Sequence, residues 1–165
     1  MGIEIRQMTS EDWEHVRAIY LAGIATGQAT FETESPDWMR WNSTHLPAPR
    51  LVAISEGQIV GWAALSPVST RAVYAGVAEV SVYVDAALRG KRIGSLLLEA
   101  LVNESEQTGI WTLQASIFPG NMASTSLHKS LGFREVGSRE RIGKRNGVWR
   151  DTLLFERRSN LVGSE

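Results

Sequence analysis

The chain has 165 residues, 43% of them hydrophobic and 21% charged, with a formal net charge of -1. That is the balance of one globular domain with one core, and it excludes both disorder and a global field drawing the chain to nucleic acid or membrane. There is no cysteine, so disulfides, thiolate metal sites and an enzyme thioester are excluded together. His15, His45 and His128 are too widely spaced for a metal site. The opening "MGIEIRQMTSED" carries acids and no apolar run, and no stretch is long enough for a membrane span. The expectation is a soluble, cytoplasmic protein of one domain covering residues 1–165.

In chain order, "IEIRQM" (3–8) alternates as a short strand. "TSED" (9–12) reads as a capping box, with Thr9 the cap and Asp12 reaching back. Trp13, Val16, Tyr20 and Ile24 then share one helical face, and the helix ends near Gly27. "ATFETE" (29–34) is a connection. Ser35 is expected to cap a second helix with Pro36 at its first position, carrying Trp38 and Trp41 on one face and stopping before Pro47. Core packing or a subunit contact explains these tryptophans more cheaply than ligand stacking.

"LVAIS" and "QIVGWAAL" flank Glu56-Gly57 as a β-hairpin. Residues 66–76 form a loop. "VAEVSVYVD" (77–85) is a strong strand with Val80, Val82 and Val84 on one face and Glu79, Ser81 and Tyr83 on the other. A helix over 90–108 and an alternating strand over 111–118 complete a parallel crossover unit. Leu127 and Leu131 mark a short helix ended by Gly132. The last two strands meet across "GKRNG", where Asn146-Gly147 favours a tight turn with positive φ. The order β-α-α-β-β-β-α-β-α-β-β predicts one α/β layer sandwich, with ligands at the carboxyl ends of its strands.

The segment "DAALRGKRIGS" (85–95) points to an anion. It joins a strand to a helix, whose first amides lack intrahelical partners. Gly90 and Gly94 allow close backbone approach, and Arg89, Lys91 and Arg92 add positive charge. GxxxxGK[ST] and GxGxxG are both absent, so the turn is neither a P-loop nor a dinucleotide fingerprint. Taken alone, it reads equally well as a solvated basic turn.

Together with "NMASTSLHKSLGF" (121–133), this segment resembles the acetyl-CoA site of the GNAT superfamily of N-acetyltransferases. In that family's Q/R-x-x-G-x-G/A pattern Arg89 takes the first place and Gly94 the last, but Arg92 stands where the middle glycine is usual. Arg92 is expected to keep ordinary helical backbone and leave the site intact. "ATFETE", "RAVYAGVAEVSVYV" (71–84) and "GKRNGVWRDTLLFERR" (143–158) extend the resemblance over nearly the whole chain, to the phosphinothricin acetyltransferase-like group.

The resemblance implies a GNAT fold: a mixed, mostly antiparallel seven-stranded sheet in three layers, with helices on both faces. It implies acetyl-CoA as co-substrate, no metal, and usually a homodimer. The implied reaction is direct attack of an amine on the acetyl thioester in a ternary complex. The acceptor is a small amino acid or analogue such as phosphinothricin, methionine sulfoximine or methionine sulfone. A protein N-terminus, another amine and a non-catalytic acyl-CoA sensor are the alternatives.

Glu79 is the candidate base, a carboxylate on an otherwise apolar strand that is expected to be partly desolvated. A solvent-facing glutamate, or one paired with an arginine such as Arg71, is an equally good reading of the residue alone, and the resemblance favours the base, acting directly or through water. His128 stands where many members place a tyrosine and is a candidate acid for the departing thiolate; simple packing is its alternative. By the resemblance, Val82, Tyr83 and Val84 run beside the pantetheine arm. Arg89, Gly90, Lys91, Arg92, Ile93, Gly94 and Ser95 hold the diphosphate, and Asn121 and Ser130 meet the cofactor from the other side. Phe31, Glu32, Arg71 and Tyr74 are the expected acceptor contacts, with Arg71 suited to a carboxylate or phosphinate. Trp149 and Asp151 are expected to shape either the pocket or a subunit contact.

Overall fold

The computed structural model describes residues 2–165. Its strands are β1 (Glu4–Gln7), β2 (Arg50–Ser55), β3 (Gln58–Pro67), β4 (Val77–Val84), β5 (Thr112–Ile117), β6 (Arg134–Arg145) and β7 (Val148–Arg158). The α-helices are α1 (Trp13–Ala25), α2 (Trp38–Thr44), α3 (Ile93–Gln107) and α4 (Met122–Ser130). All seven strands form one sheet in the order β1-β2-β3-β4-β5-β7-β6. Every neighbouring pair is antiparallel except β4 with β5, so the expected mixed sheet is what the chain builds.

Two cores cover the two faces. On one, Leu97, Leu98 and Leu101 of α3 pack with Leu51, Leu65, Leu113 and Phe155 of the sheet, all essentially buried. Leu127 and Leu131 join this side, and Val82 and Val84 of β4 turn toward it. On the other, Trp13, Val16 and Ile19 of α1 meet Trp41, Val52 and Trp62. Trp13 sits 5.9 Å from Trp38 and 5.6 Å from Trp41 between ring centroids, so the tryptophans of the first two helices are core.

Local signals explain where the elements stop, with two shifts from expectation. The Asp12 carboxylate takes the Thr9 N–H at 2.8 Å, as a capping box requires. It also receives a two-pronged contact from Arg6, at 2.8 and 2.9 Å. The second helix starts later than expected, because Asp37 rather than Ser35 is the cap: its Oδ1 accepts the Arg40 N–H at 2.9 Å. The Ser35 hydroxyl instead donates to the Pro36 carbonyl. Helix α3 also starts later, at Ile93, because Gly90 (φ 81°) and Arg92 (φ 64°) are left-handed and cannot carry a right-handed turn. At the last hairpin Asn146 (φ 50°) and Gly147 (φ 79°) are both left-handed, as a two-residue turn between twisted strands demands.

The Arg6 guanidinium holds the Asp12 carboxyl below the usual carboxylate range, with the Thr9 N–H adding to it against a counteracting desolvation. A lowered folded-state pKa contributes stability at neutral pH that is lost as pH falls through that value. Asp12→Ala is expected to cost about 1–2 kcal/mol at pH 7, from the lost cap and ion pair. The gap between the two proteins' denaturant midpoints should narrow as pH falls toward the acid limit.

Candidate active site

The site begins where the sheet comes apart. β4 and β5 pair only through Val77–Thr112, Ala78–Leu113 and Glu79–Gln114. Beyond Glu79, β4 keeps its β3 partner as far as Val84, and β5 keeps β7 as far as Ile117. The two strands therefore diverge, and the β4 edge from Val80 onward has no strand beside it. A cleft of about 980 Å³ opens there, in the size range of small-molecule sites. Its walls include Val82, Tyr83 and Val84 of β4, Ala115 and Ile117 of β5, and Leu127 of α4.

At one end lies the glycine- and arginine-containing turn. The first backbone donor of α3 with a protein partner is Leu96, bonded to the Arg92 carbonyl at 3.1 Å. Among the described residues none of the backbone N–H groups from Arg89 to Ser95 has an acceptor. Arg89, Gly90, Arg92, Ile93, Gly94 and Ser95 all line the cleft. A row of unspent donors at a helix start, flanked by two guanidinium groups, is suited to a diphosphate. A Cβ at Gly94 would lie 3.3 Å from Leu127, which fixes how closely α3 and α4 approach.

Arg92 corrects an expectation. Its backbone is not ordinary helical backbone but left-handed, the conformation for which the usual glycine carries no penalty. An L-residue there costs roughly 1–2 kcal/mol.

At the other end stands Glu79, half-buried. Gln114 Nε2 donates to its Oε1 at 3.0 Å and the Ser116 hydroxyl at 3.4 Å. The sequence reading missed both donors. Their signal was the alternation of "WTLQASIF", which puts Gln114 and Ser116 on one face, with Gln114 in register with Glu79. Tyr83 and Tyr20 close this side, their rings 5.0 Å apart, and Trp62 stacks on Tyr83 at 5.0 Å and 14°. A Cβ at position 23 would fall 2.7 Å from the Tyr83 ring, so Gly23 is the space in α1 that admits it. Burial pushes the Tyr20 hydroxyl up to about 12, with the Glu32 charge adding and the Thr30 side chain opposing. Tyr83 is pushed higher still, mainly by burial. Both phenols are therefore neutral hydrogen-bonding groups.

His128 is buried in the wall of the cleft, edge-on to Phe133 at 5.1 Å. Its Nδ1 lies 2.7 Å from the Ser124 carbonyl, which can only accept, so the ring proton sits on Nδ1. Nε2 is then the lone-pair nitrogen, and it has no partner among the described residues. Burial lowers the pKa, against the Ser124 bond. The ring proton is thus engaged by the Ser124 carbonyl, and the unpartnered nitrogen is an acceptor.

Of the remaining expected residues, Asn121, Phe31 and Glu32 line the cleft. Asn121 caps α4, its Oδ1 accepting the Ser124 N–H at 3.2 Å, while its Nδ2 donates to the Gln28 carbonyl at 3.3 Å. Four residues are not brought to the cleft. Arg71 and Tyr74 are exposed on a short turn after β3, where the guanidinium lies over the tyrosine ring at 5.5 Å. Lys91 is exposed outside the cleft, and the Ser130 hydroxyl is committed to the Leu127 carbonyl at 2.7 Å. The Asp151 carboxylate accepts the Arg141 N–H at 2.7 Å and stabilises a bulge, and Trp149 is exposed beneath the Lys144 ammonium.

The chain matches the Acetyltransferase (GNAT) family over residues 5–133. It belongs to that family. It is 32% identical to the phosphinothricin N-acetyltransferase of Alcaligenes faecalis over 163 residues, covering 94% of this chain and 82% of that one. It is 31% identical to the L-methionine sulfoximine/L-methionine sulfone acetyltransferase of Pseudomonas aeruginosa over 162 residues, covering 94% of each. Among solved structures, it matches a GNAT superfamily phosphinothricin acetyltransferase from Sinorhizobium meliloti in complex with AcCoA. The TM-score there is 0.89, with 28% identity, over 100% of this chain and 92% of that one. The chain is thus an acetyltransferase with the GNAT fold. Among the described residues no helix is long and apolar enough to cross a membrane.

Replacing Arg92 by glycine removes the left-handed penalty but restores roughly 0.5–1 kcal/mol of unfolded-state freedom. Arg92→Gly is therefore expected to stabilise the chain by about 0.5–1 kcal/mol, read as a rise in denaturant midpoint with unchanged slope.

Proposed function

We propose that this acetyltransferase moves the acetyl group of acetyl-CoA to the amino group of a small amino acid or analogue of the phosphinothricin or methionine sulfoximine type. The observation that carries the reading is the splayed β4–β5 gap. It sets unspent amides from Arg89 to Ser95 at one end and a hydrogen-bonded carboxylate, Glu79, at the other. The relatives' acceptors supply the substrate class.

Acetyl-CoA, when bound, supplies a thioester whose carbonyl carbon accepts the amine. In this reading the Arg89–Ser95 amides, with Arg89 and Arg92, hold the diphosphate. The free β4 edge at Val82, Tyr83 and Val84 takes the amide-bearing arm as an added strand would be taken, with Asn121 opposite. A β4 N–H donates to the carbonyl oxygen as negative charge develops there.

A free α-amino group has a pKa of about 8, so most of it is protonated at neutral pH and cannot attack. Glu79, directly or through one water, takes that proton. Gln114 fixes the carboxylate by donating to Oε1, leaving Oε2 for the amine. As the nitrogen–carbon bond forms and the carbon–sulfur bond breaks, sulfur leaves as the thiolate of a group with pKa near 8.5 and gains its proton from solvent. His128 shapes the wall in its neutral form and is not the acid. Phe31 and Glu32 contact the acceptor.

The working unit is proposed to be a homodimer joined through the β6–β7 hairpin, where Ile142, Val148 and Trp149 are more than half exposed. Trp149→Glu is expected to shift the sedimentation coefficient to the monomer's, and a wild-type chain that already sediments as a monomer sinks this part of the reading.

Incubation with acetyl-CoA and a panel of amino acids, phosphinothricin, methionine sulfoximine and methionine sulfone is expected to release free thiol. Glu79→Gln should lower turnover on the best acceptor by about 10²-fold or more, with coenzyme A affinity within threefold by calorimetry. Binding of acetyl-CoA without turnover on any acceptor would favour a sensor, and equal activity of the variant would remove Glu79 from the mechanism.

A further inference from the structure

Residues 26–34, the first part of the connection from α1 to α2, carry Phe31 and Glu32 and are held by a residue that does not line the cleft. From β7, Arg150 Nη1 donates to the Gly27 carbonyl at 3.0 Å and Nη2 to Gln28 Oε1 at 3.4 Å. The same guanidinium lies over the Phe118 ring at 3.9 Å from its centroid. Phe118 in turn meets Phe31 edge-on at 5.0 Å.

Gln28 is gripped from both sides, since its backbone carbonyl accepts from Asn121 Nδ2 at 3.3 Å. The connection is thus tied at once to the last hairpin and to the cap of α4. Among the described residues no carboxylate forms an ion pair with Arg150. A half-buried guanidinium that spends its donors on uncharged oxygens and its face on an aromatic ring contributes geometry. Lysine cannot replace it, because one ammonium cannot span two acceptors while stacking.

We propose that Arg150 is a positioning residue for the acceptor. Through Gln28, and through Phe118 to Phe31, it sets where the acceptor sits relative to Asn121 and the acetyl donor. This rests on the reading that Phe31 and Glu32 contact the acceptor. Displacements of about 1 Å in such a wall are enough to lower reaction efficiency by about two orders of magnitude.

The test uses the full chain and Arg150→Met, which keeps an apolar stem over Phe118 and removes the fork. Acceptor KM should rise at least tenfold, with kcat and coenzyme A affinity each within threefold. Hydrogen exchange in residues 26–34 should quicken at least tenfold, with α3 and β4 unchanged. Arg150→Lys should recover less than half of the lost kcat/KM on a logarithmic scale.

Unchanged exchange in 26–34 overturns the proposal, and so does faster exchange with an unchanged acceptor KM. Coenzyme A affinity that weakens in step with KM also overturns it, because the effect would then run through the cofactor side. Should Arg150→Met fail to fold, Gln28→Ala removes the side-chain acceptor of Arg150 Nη2 while keeping the backbone carbonyl that Asn121 holds, and is judged by the same readouts. If the wild-type chain acetylates none of the panel, the functional reading fails, while exchange still decides whether Arg150 holds the connection.

Discussion

One unmade set of hydrogen bonds organises this protein. A sheet normally extends its ladder as far as two neighbouring strands run together, because buried backbone donors and acceptors left without partners are costly. Here the β4–β5 ladder stops at Glu79–Gln114 although both strands continue. Among the described residues, the only parallel contact in the sheet is therefore also its break. Each strand is held on its outer side, β4 by β3 and β5 by β7, so the gap is kept open by complete ladders that flank it. The free edge, the amides at the start of α3 and the Glu79 carboxylate all face the space this creates.

The chemistry is arranged around that gap by residues with different tolerances. On the α3 side the contacts are apolar and tight, and Gly94 lets two helices close on each other. On the α1 side the wall is aromatic and hydroxylic. Trp62 stacks on Tyr83, Tyr20 meets both edge-on, and the cluster depends on a missing side chain in α1 at Gly23. High-pKa phenols add no charge of their own, which leaves Glu32 and Glu79 as the carboxylates of this wall.

Much of this was legible in the residues. Period-two alternation gave β4 and the face on which Glu79 stands, and helical spacing gave the body of α3 but not its start, which falls at Ile93 after the left-handed turn. Asn146-Gly147 announced the last hairpin. Less legible was anything set by a contact distant in sequence. Asp37 displaced Ser35 as a cap because its carboxylate meets the Arg40 N–H, a matter of local geometry that composition cannot rank. Arg92 could not be read as left-handed, since a sequence records a glycine's replacement but not whether the backbone moved to accommodate it. Gln114 and Arg150 were invisible as partners because register across strands, and the path of the 26–34 connection, are settled only by the packed chain. Arg71 and Tyr74 lie outward on an exposed turn, one over the other, a placement that spacing along a motif does not reveal.

The long outer strand β6 has one further implication. It is exposed along most of its length and flanked by apolar side chains, the profile of an edge that recruits other chains without limit. Yet its ladder with β7 shifts register twice, and at Arg141 the backbone turns left-handed while Asp151 occupies the freed N–H. A visiting strand would meet a broken template carrying Arg134, Arg139, Arg141 and Lys144. The bulge therefore works against strand-by-strand growth along this edge.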